Sequence, residues 1–235
     1  MTKGTLYLIP ALLSEGNVDS VLPEGTLGII RKLESFIVEE IRTARRFLIK
    51  SGVQTPIDNL TFQVFNEHSN DQELQEYLSA ALEGQDIGLL SEAGVPCVAD
   101  PGALIVKTAH ELGIRVVPLT GPSSILLALM ASGFNGQSFA FVGYLPADKL
   151  MRARKIKELE KSILEKDQTQ IFIETPYRNL HLFETLVGTC RPDTQLCIAT
   201  DISGSTEMIK TLSVSNWRKI KPDIHKKPAI FLLYH

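Results

Sequence analysis

The chain has 235 residues, enough for one large or two modest domains, with 44% apolar and 22% charged residues. That composition belongs to a soluble globular protein, and no run approaches the ~20 apolar residues of a membrane span. The net charge of −3 excludes a uniformly basic nucleic-acid coat. Any basic surface must be local.

Cys97, Cys190 and Cys197 are widely spaced, without a paired motif. They read as small buried apolar residues in a reduced, cytoplasmic setting. Five scattered histidines give no metal-ligand spacing, so no metal is expected. The start of the chain reads directly into a strand, without a targeting segment. Between Ser51 and Val106 there is no Lys or Arg. Basic residues cluster instead at Arg42, Arg45, Arg46 and Lys50, in 149–166 and in 218–227. Such clusters can neutralise phosphates or simply form solvated helix faces.

In chain order, 5–9 (TLYLI) reads as a strand and 10–17 (PALLSEGN) as a loop. That loop has the position of a dinucleotide-binding turn but lacks G-x-G-x-x-G. Residues 22–33 read as a helix and 35–38 (SFIV) as a strand ending at Glu39-Glu40. A helix with Ile41, Phe47 and Leu48 on its buried face follows, closed by Gly52. A short strand covers 62–66. The stretch 71–83 reads as an amphipathic helix burying Leu74, Tyr77, Leu78 and Leu82, with Gly84 as its stop.

The stretch 88–124 organises the rest. A buried strand, 87–90, enters a loop of small residues and turn formers, 91–99. Asp100-Pro101 then reads as N-cap and first helical position, and the helix closes at Gly113. A strand at 115–119 leads to Thr120-Gly121-Pro122-Ser123-Ser124 and another helix start. Parallel strands present ligands at their carboxyl ends. Helix starts offer unpaired N–H groups with partial positive charge. Singly, each loop is an ordinary helix start; together they point to a shared site for a small polar or anionic group.

The helix 122–132 is apolar nearly all round and is expected to be buried at a domain or subunit contact. A strand at 139–142 closes a first domain, 1–143, and Gly143 to Asp148 supplies the linker, 144–147. The second domain, 148–235, opens with a charged helix over 149–166. It continues with a strand at 168–173, a helix from Thr175-Pro176 to about Val187, strands at 196–200 and 207–212, a short helix or loop at Trp217, and a strand at 229–234.

SEAGVPCVADPG, GIRVVPLTGPSS and LMASGFNGQSFAFVGYLP, in this order and spacing, resemble the tetrapyrrole (corrin/porphyrin) methylase superfamily. Within it they are most similar to the branch that methylates the 2′-oxygen of a cytidine in small-subunit ribosomal RNA. That branch typically reads SDAGTPxxSDPG, a GPxx helix start and GFLP. EDTRxTxxLL matches Glu39, Glu40 and Arg42, with Glu40 for Asp and Ile41 for Thr. His-Glu-His-Asn partly matches Glu67 and His68, and Glu-Ser-x-x-Arg matches Glu174, Thr175 and Arg178. PTPIGN corresponds to a longer loop here, keeping Pro10, Gly16 and Asn17. The usual Arg-Glu-Leu-Thr-Lys is replaced by 200–204.

The resemblance implies an α/β, two-domain class III S-adenosylmethionine (SAM)-dependent methyltransferase, with SAM held in a cleft between the domains. It implies backbone contacts to SAM near Pro10, Ser91, Gly94, Val95, Val98, Ser123, Ser124 and Ile173. It also implies RNA as acceptor and a homodimer. Transfer to a ribose hydroxyl needs a proton acceptor in reach. Glu40 is the first choice, with Glu67 and Glu92 behind it; Arg42 and Arg178 would hold a phosphate or orient the carboxylate. Two other readings stay open at this stage. One is a non-catalytic RNA-binding or ribosome-assembly relative; the other is a methylase of a small molecule such as a tetrapyrrole.

Overall fold

A computed structural model describes residues 2–66, 69 and 74–235. The chain divides into two compact units, Met1–Ser123 and Ser124–His235.

The first unit is built on five parallel strands: β1 (Thr5–Ile9), β2 (Ser35–Val38), β3 (Thr61–Val64), β4 (Ile87–Leu90) and β5 (Arg115–Pro118). Their order is β3-β2-β4-β1-β5. The period-2 alternation of side chains divides the core into two layers. Ile9, Phe36, Val38 and Leu90 face α1 (Glu24–Ile30) and α2 (Ile41–Ser51). Leu6, Ile37, Ile87 and Leu89 face the opposite layer with α4 (Ala103–Glu111). β1 and β4 are neighbours, but the chain leaves β1 for α1 and β4 for α4, on opposite faces. Their carboxyl ends therefore flank a crevice of the kind that binds ligands in open parallel sheets.

Two sequence expectations are corrected in this unit. The helix after Asp100 begins at Ala103 with Gly102 as its N-cap. Asp100 instead accepts the N–H of Gly102 at 2.6 Å, closing the turn before the helix. The helix expected over 71–83 lies partly outside the described residues. Within them it is a 3₁₀ turn, Glu76–Leu78, followed by the single turn α3 (Ser79–Leu82). A 3₁₀ turn shifts the phase of the side chains relative to a 3.6-residue period. Leu78 is accordingly buried while Leu82 is exposed.

The second unit has β6 (Phe139–Tyr144), β7 (Thr169–Ile173), β8 (Gln195–Thr200), β9 (Met208–Ser213) and β10 (Ala229–Tyr234), in the order β6-β7-β10-β8-β9. Only β6 and β7 run parallel; the other pairings are antiparallel. The first domain was expected to run to residue 143. It stops earlier, because β6 pairs with β7 and α5 (Ser124–Ser132) lies against β9 and β10, with Thr211 donating to the Ser132 carbonyl at 2.8 Å. α5 is also not buried all round: Ala128, Leu129 and Ser132 are buried, but Met130 is 78% exposed.

One layer of this unit packs α6 (Lys149–Lys166), α7 (Asn179–Thr189) and α8 (Val214–Trp217) against Phe172, Phe231 and Leu233 of the sheet. Trp217 is fully buried, donates Nε1–H to the Leu196 carbonyl at 2.8 Å and meets Phe183 edge-on. Trp217→Ala removes the indole and leaves a cavity in the core, and should cost about 3–5 kcal/mol, read as a lower urea midpoint with an unchanged slope.

Candidate active site

The carboxyl ends of β1, β4 and β5 are tied together by their own backbone. The N–H of Ala11, just beyond β1, donates to the Gly94 carbonyl at 2.8 Å, and the N–H of Leu119 donates to the Leu8 carbonyl at 3.0 Å. Thr26 of α1 donates its hydroxyl to the Thr120 carbonyl at 2.9 Å. The loop after β4 holds two non-glycine residues, Cys97 and Ala99, in the left-handed region. Such conformations cost roughly 1–3 kcal/mol each and persist where surrounding structure enforces them, as in ligand loops.

Carboxylates converge at the ends of β2 and β4. Glu39 sits beside Asp100 and accepts the N–H of Glu92 at 3.3 Å. Burial first, then the neighbouring Asp100 charge, pushes its carboxyl up to about 7. Glu40 has a different job: it is the N-cap of α2, and its two oxygens accept the N–H groups of Arg42 and Thr43 at 2.8 Å each. Those bonds hold its carboxyl below the usual range, so the first-choice proton acceptor of the sequence is occupied as a cap and remains ionised. Glu92 accepts the Thr43 hydroxyl at 2.6 Å. Sequence reasoning passed over Glu39 because its raised pKa depends on burial in the folded chain and then on Asp100, sixty-one positions away.

Of the residues expected to hold SAM, Pro10, Ser91, Gly94, Val95, Val98 and Ser123 belong to the first unit, at these loops. The Ser91 side chain is buried, with its hydroxyl on the Gly94 carbonyl at 3.3 Å, so it organises the loop. Val98 is exposed. Ser124 and Ile173 belong to the second unit. There Arg178 donates Nε–H and Nη2–H to one oxygen of buried Glu174, at 2.9 and 2.6 Å. The other Glu174 oxygen has no hydrogen-bond partner among the described residues. Glu67 and His68 lie outside the described residues.

The basic clusters differ once side chains are placed. On α6, Arg152 is buried and bonded to Thr185 and the Ala147 carbonyl. Lys155, Lys157 and Lys161 pair with Glu158, Glu160 and Glu165. On α2, Arg45 pairs with Asp58, whereas Arg46 and Lys50 are exposed and have no ion-pair partner among the described residues. Both line a cavity of about 280 Å³ between α2, the loop after β1 and the 91–93 segment. A larger cavity, about 720 Å³, opens beside Ser35 and Asp86 at the amino ends of β2 and β4, the end of a parallel sheet where ligands are not expected.

The family model described as Tetrapyrrole (Corrin/Porphyrin) Methylases matches residues 27–215. The chain belongs to the tetrapyrrole methylase family. Its α/β architecture in two units is the class III methyltransferase fold, and it is a methyltransferase by family. A relative from Pseudomonas aeruginosa, named ribosomal RNA small subunit methyltransferase I, is 30% identical over 215 residues, covering 92% of this chain and 72% of that one. A relative of the same name from Vibrio cholerae is 30% identical over 233 residues, covering 98% of this chain and 76% of the other. Among solved structures, a diphthine synthase aligns with a TM-score of 0.68 at 16% identity, covering 98% of this chain and 90% of its own. That likeness carries the fold of the family alone.

Proposed function

We propose that this tetrapyrrole-family methylase transfers a methyl group from SAM to a ribose 2′-oxygen of small-subunit ribosomal RNA. The observation that carries this reading is the 30% identity to small-subunit ribosomal RNA methyltransferases along 92% of the chain. The joined loops after β1, β4 and β5 fit SAM, because they offer small residues and backbone groups where the sheet presents ligands. When bound, SAM supplies a sulfonium methyl for in-line displacement.

The chain's own residues then align the acceptor and remove its proton. Glu39, with a carboxyl poised near neutral pH, takes the 2′-hydroxyl proton as the oxygen attacks. The N–H of Glu92 holds that carboxyl in place. Glu40 fixes the start of α2 and so the position of Arg42, which contributes positive charge for an acceptor phosphate. Arg178, oriented by Glu174, contributes the same charge in the second unit. Action in the cytoplasm as a homodimer is part of this proposal.

Two measurements test it. Calorimetric titration with S-adenosylhomocysteine is expected to give saturable binding at one site per chain. Radiolabelled SAM should then label small ribosomal subunits from a strain deleted for the gene, with the label recovered as a 2′-O-methylnucleoside. Binding without labelling of ribosomal subunits would leave a small-molecule methylase. No binding by folded, ligand-free protein would leave a non-catalytic relative.

A further inference from the structure

We propose that the cavity between α2 and the loop after β1 is a nucleotide pocket. It would seat one unpaired ribonucleotide of the acceptor strand, with that nucleotide's phosphate held by Arg46 and Lys50. The proposal rests on the RNA-methyltransferase reading and adds where, and by which side chains, the strand is gripped.

The size comes first. About 280 Å³ is at the low end of ligand pockets, room for a single nucleotide and not for a duplex. The walls match the two halves of that ligand. Leu12, Leu13, Phe47 and Leu90 line an apolar side, and base faces settle on aromatic and aliphatic surface without regard to sequence. Arg46 and Lys50 line the same cavity, one helical turn apart, on the same side of α2. They are exposed, and no carboxylate among the described residues pairs with either.

On α6, by comparison, Lys155, Lys157 and Lys161 are each paired with an acid one turn away and Arg152 is buried, and a paired lysine offers a phosphate little net field. Location agrees as well. Thr43 and Glu92 line this cavity and are bonded to one another at 2.6 Å, while the backbone of Glu92 is bonded to Glu39. A nucleotide seated here would contact Glu92, whose backbone is bonded to the group assigned to take the proton. Leu12 to Glu15 close one side of the cavity.

The test uses the full chain with Arg46→Glu and Lys50→Glu combined. The control combines Lys155→Glu with Lys161→Glu on α6. A fluorescein-labelled single-stranded oligoribonucleotide is titrated by anisotropy across a salt series, and S-adenosylhomocysteine by calorimetry. The α2 variant should bind the oligonucleotide at least tenfold more weakly. Its slope of log K against log salt should shrink by about one, as expected for one or two lost phosphate contacts on a single strand. In methyl transfer to small subunits, KM for the subunit should rise about tenfold with kcat within twofold, and S-adenosylhomocysteine affinity should not change. The α6 control should move each quantity by less than twofold.

Unchanged oligonucleotide affinity and salt slope in the α2 variant would overturn the pocket. So would a matching loss of S-adenosylhomocysteine affinity, which would assign the two cations to the cofactor. Labelling of subunits by the wild type separates these results from failure of the function itself. If subunits are labelled and the α2 variant behaves as wild type, only the pocket falls. If the wild type neither binds the oligonucleotide nor labels subunits, both fall.

Discussion

Glu39→Gln is expected to lower methyl transfer by roughly 10²–10⁴-fold, the range for removal of a general base, while leaving S-adenosylhomocysteine affinity within twofold. Glutamine is nearly isosteric and can still accept the N–H of Glu92, so a loss of rate would report the proton and not the fold. The pH dependence supplies an independent reading. A base must be ionised, and burial together with Asp100 places this carboxyl at about 7. Wild-type kcat/KM should therefore rise as pH climbs through about 7 and flatten above it. The residual activity of Glu39→Gln should lack that limb.

Stability should move in the opposite sense. Because the folded-state pKa is raised above the unfolded value, the native state holds more protons between about pH 4.5 and 7. Stability is thus lost as pH rises through that window. Relative to wild type, Glu39→Gln should be more stable at pH 8 than at pH 5, by about 1–2 kcal/mol once partial exposure of the carboxyl is allowed for. A variant with wild-type turnover, or a wild-type rate that is flat from pH 6 to 8, would remove Glu39 from the reaction.

The same carboxyl shows what the sequence could and could not convey. Local signals were legible: strand β2 and the helix after it, closed by Gly52 in the left-handed conformation, follow from apolar periodicity and a glycine stop. The loops at the carboxyl ends of β4 and β5 were legible as well, because turn formers between a buried strand and a helix are short-range features. What depends on distant neighbours was not. Glu39 and Glu40 are adjacent and chemically identical on paper. Burial of Glu39 beside Asp100, and the capping of α2 by Glu40, separate a carboxyl near 7 from one held ionised.

The domain boundary failed for a related reason. Gly143 to Asp148 carries the composition of a linker, yet β6 pairs with β7, and strand pairing between positions thirty apart, such as Phe139 and Thr169, leaves no mark on local composition. Similarly, the sequence shows where cations cluster, but not that Lys155, Lys157 and Lys161 are paired with acids while Arg46 and Lys50 have no such partner among the described residues; that requires coordinates.

The second large effect is expected from a single methyl group. Gly121→Ala should weaken S-adenosylhomocysteine binding at least tenfold and lower stability by about 1–3 kcal/mol, the usual cost of overpacking. The backbone at Gly121 lies outside the left-handed region, so alanine meets no conformational penalty there. The obstacle is steric: a Cβ at this position would lie 2.2 and 2.3 Å from two ring carbons of Pro10 and 3.2 Å from Leu22. The Pro10 ring cannot rotate away as a flexible side chain would. Its neighbour Ala11 is hydrogen-bonded to Gly94, so displacement of Pro10 passes directly into the loop after β4.

Three strand ends would thus be disturbed by one substitution, at the place where backbone geometry and not side-chain chemistry is proposed to hold SAM. Gly16→Ala provides the comparison, because nothing lies within 4 Å of its Cβ position and its backbone is unstrained. It lies in the same loop after β1 and should leave both stability and affinity unchanged. If Gly121→Ala retains wild-type affinity while losing stability, the contact between Pro10 and Gly121 serves packing alone, and the cofactor must be held by other parts of the chain.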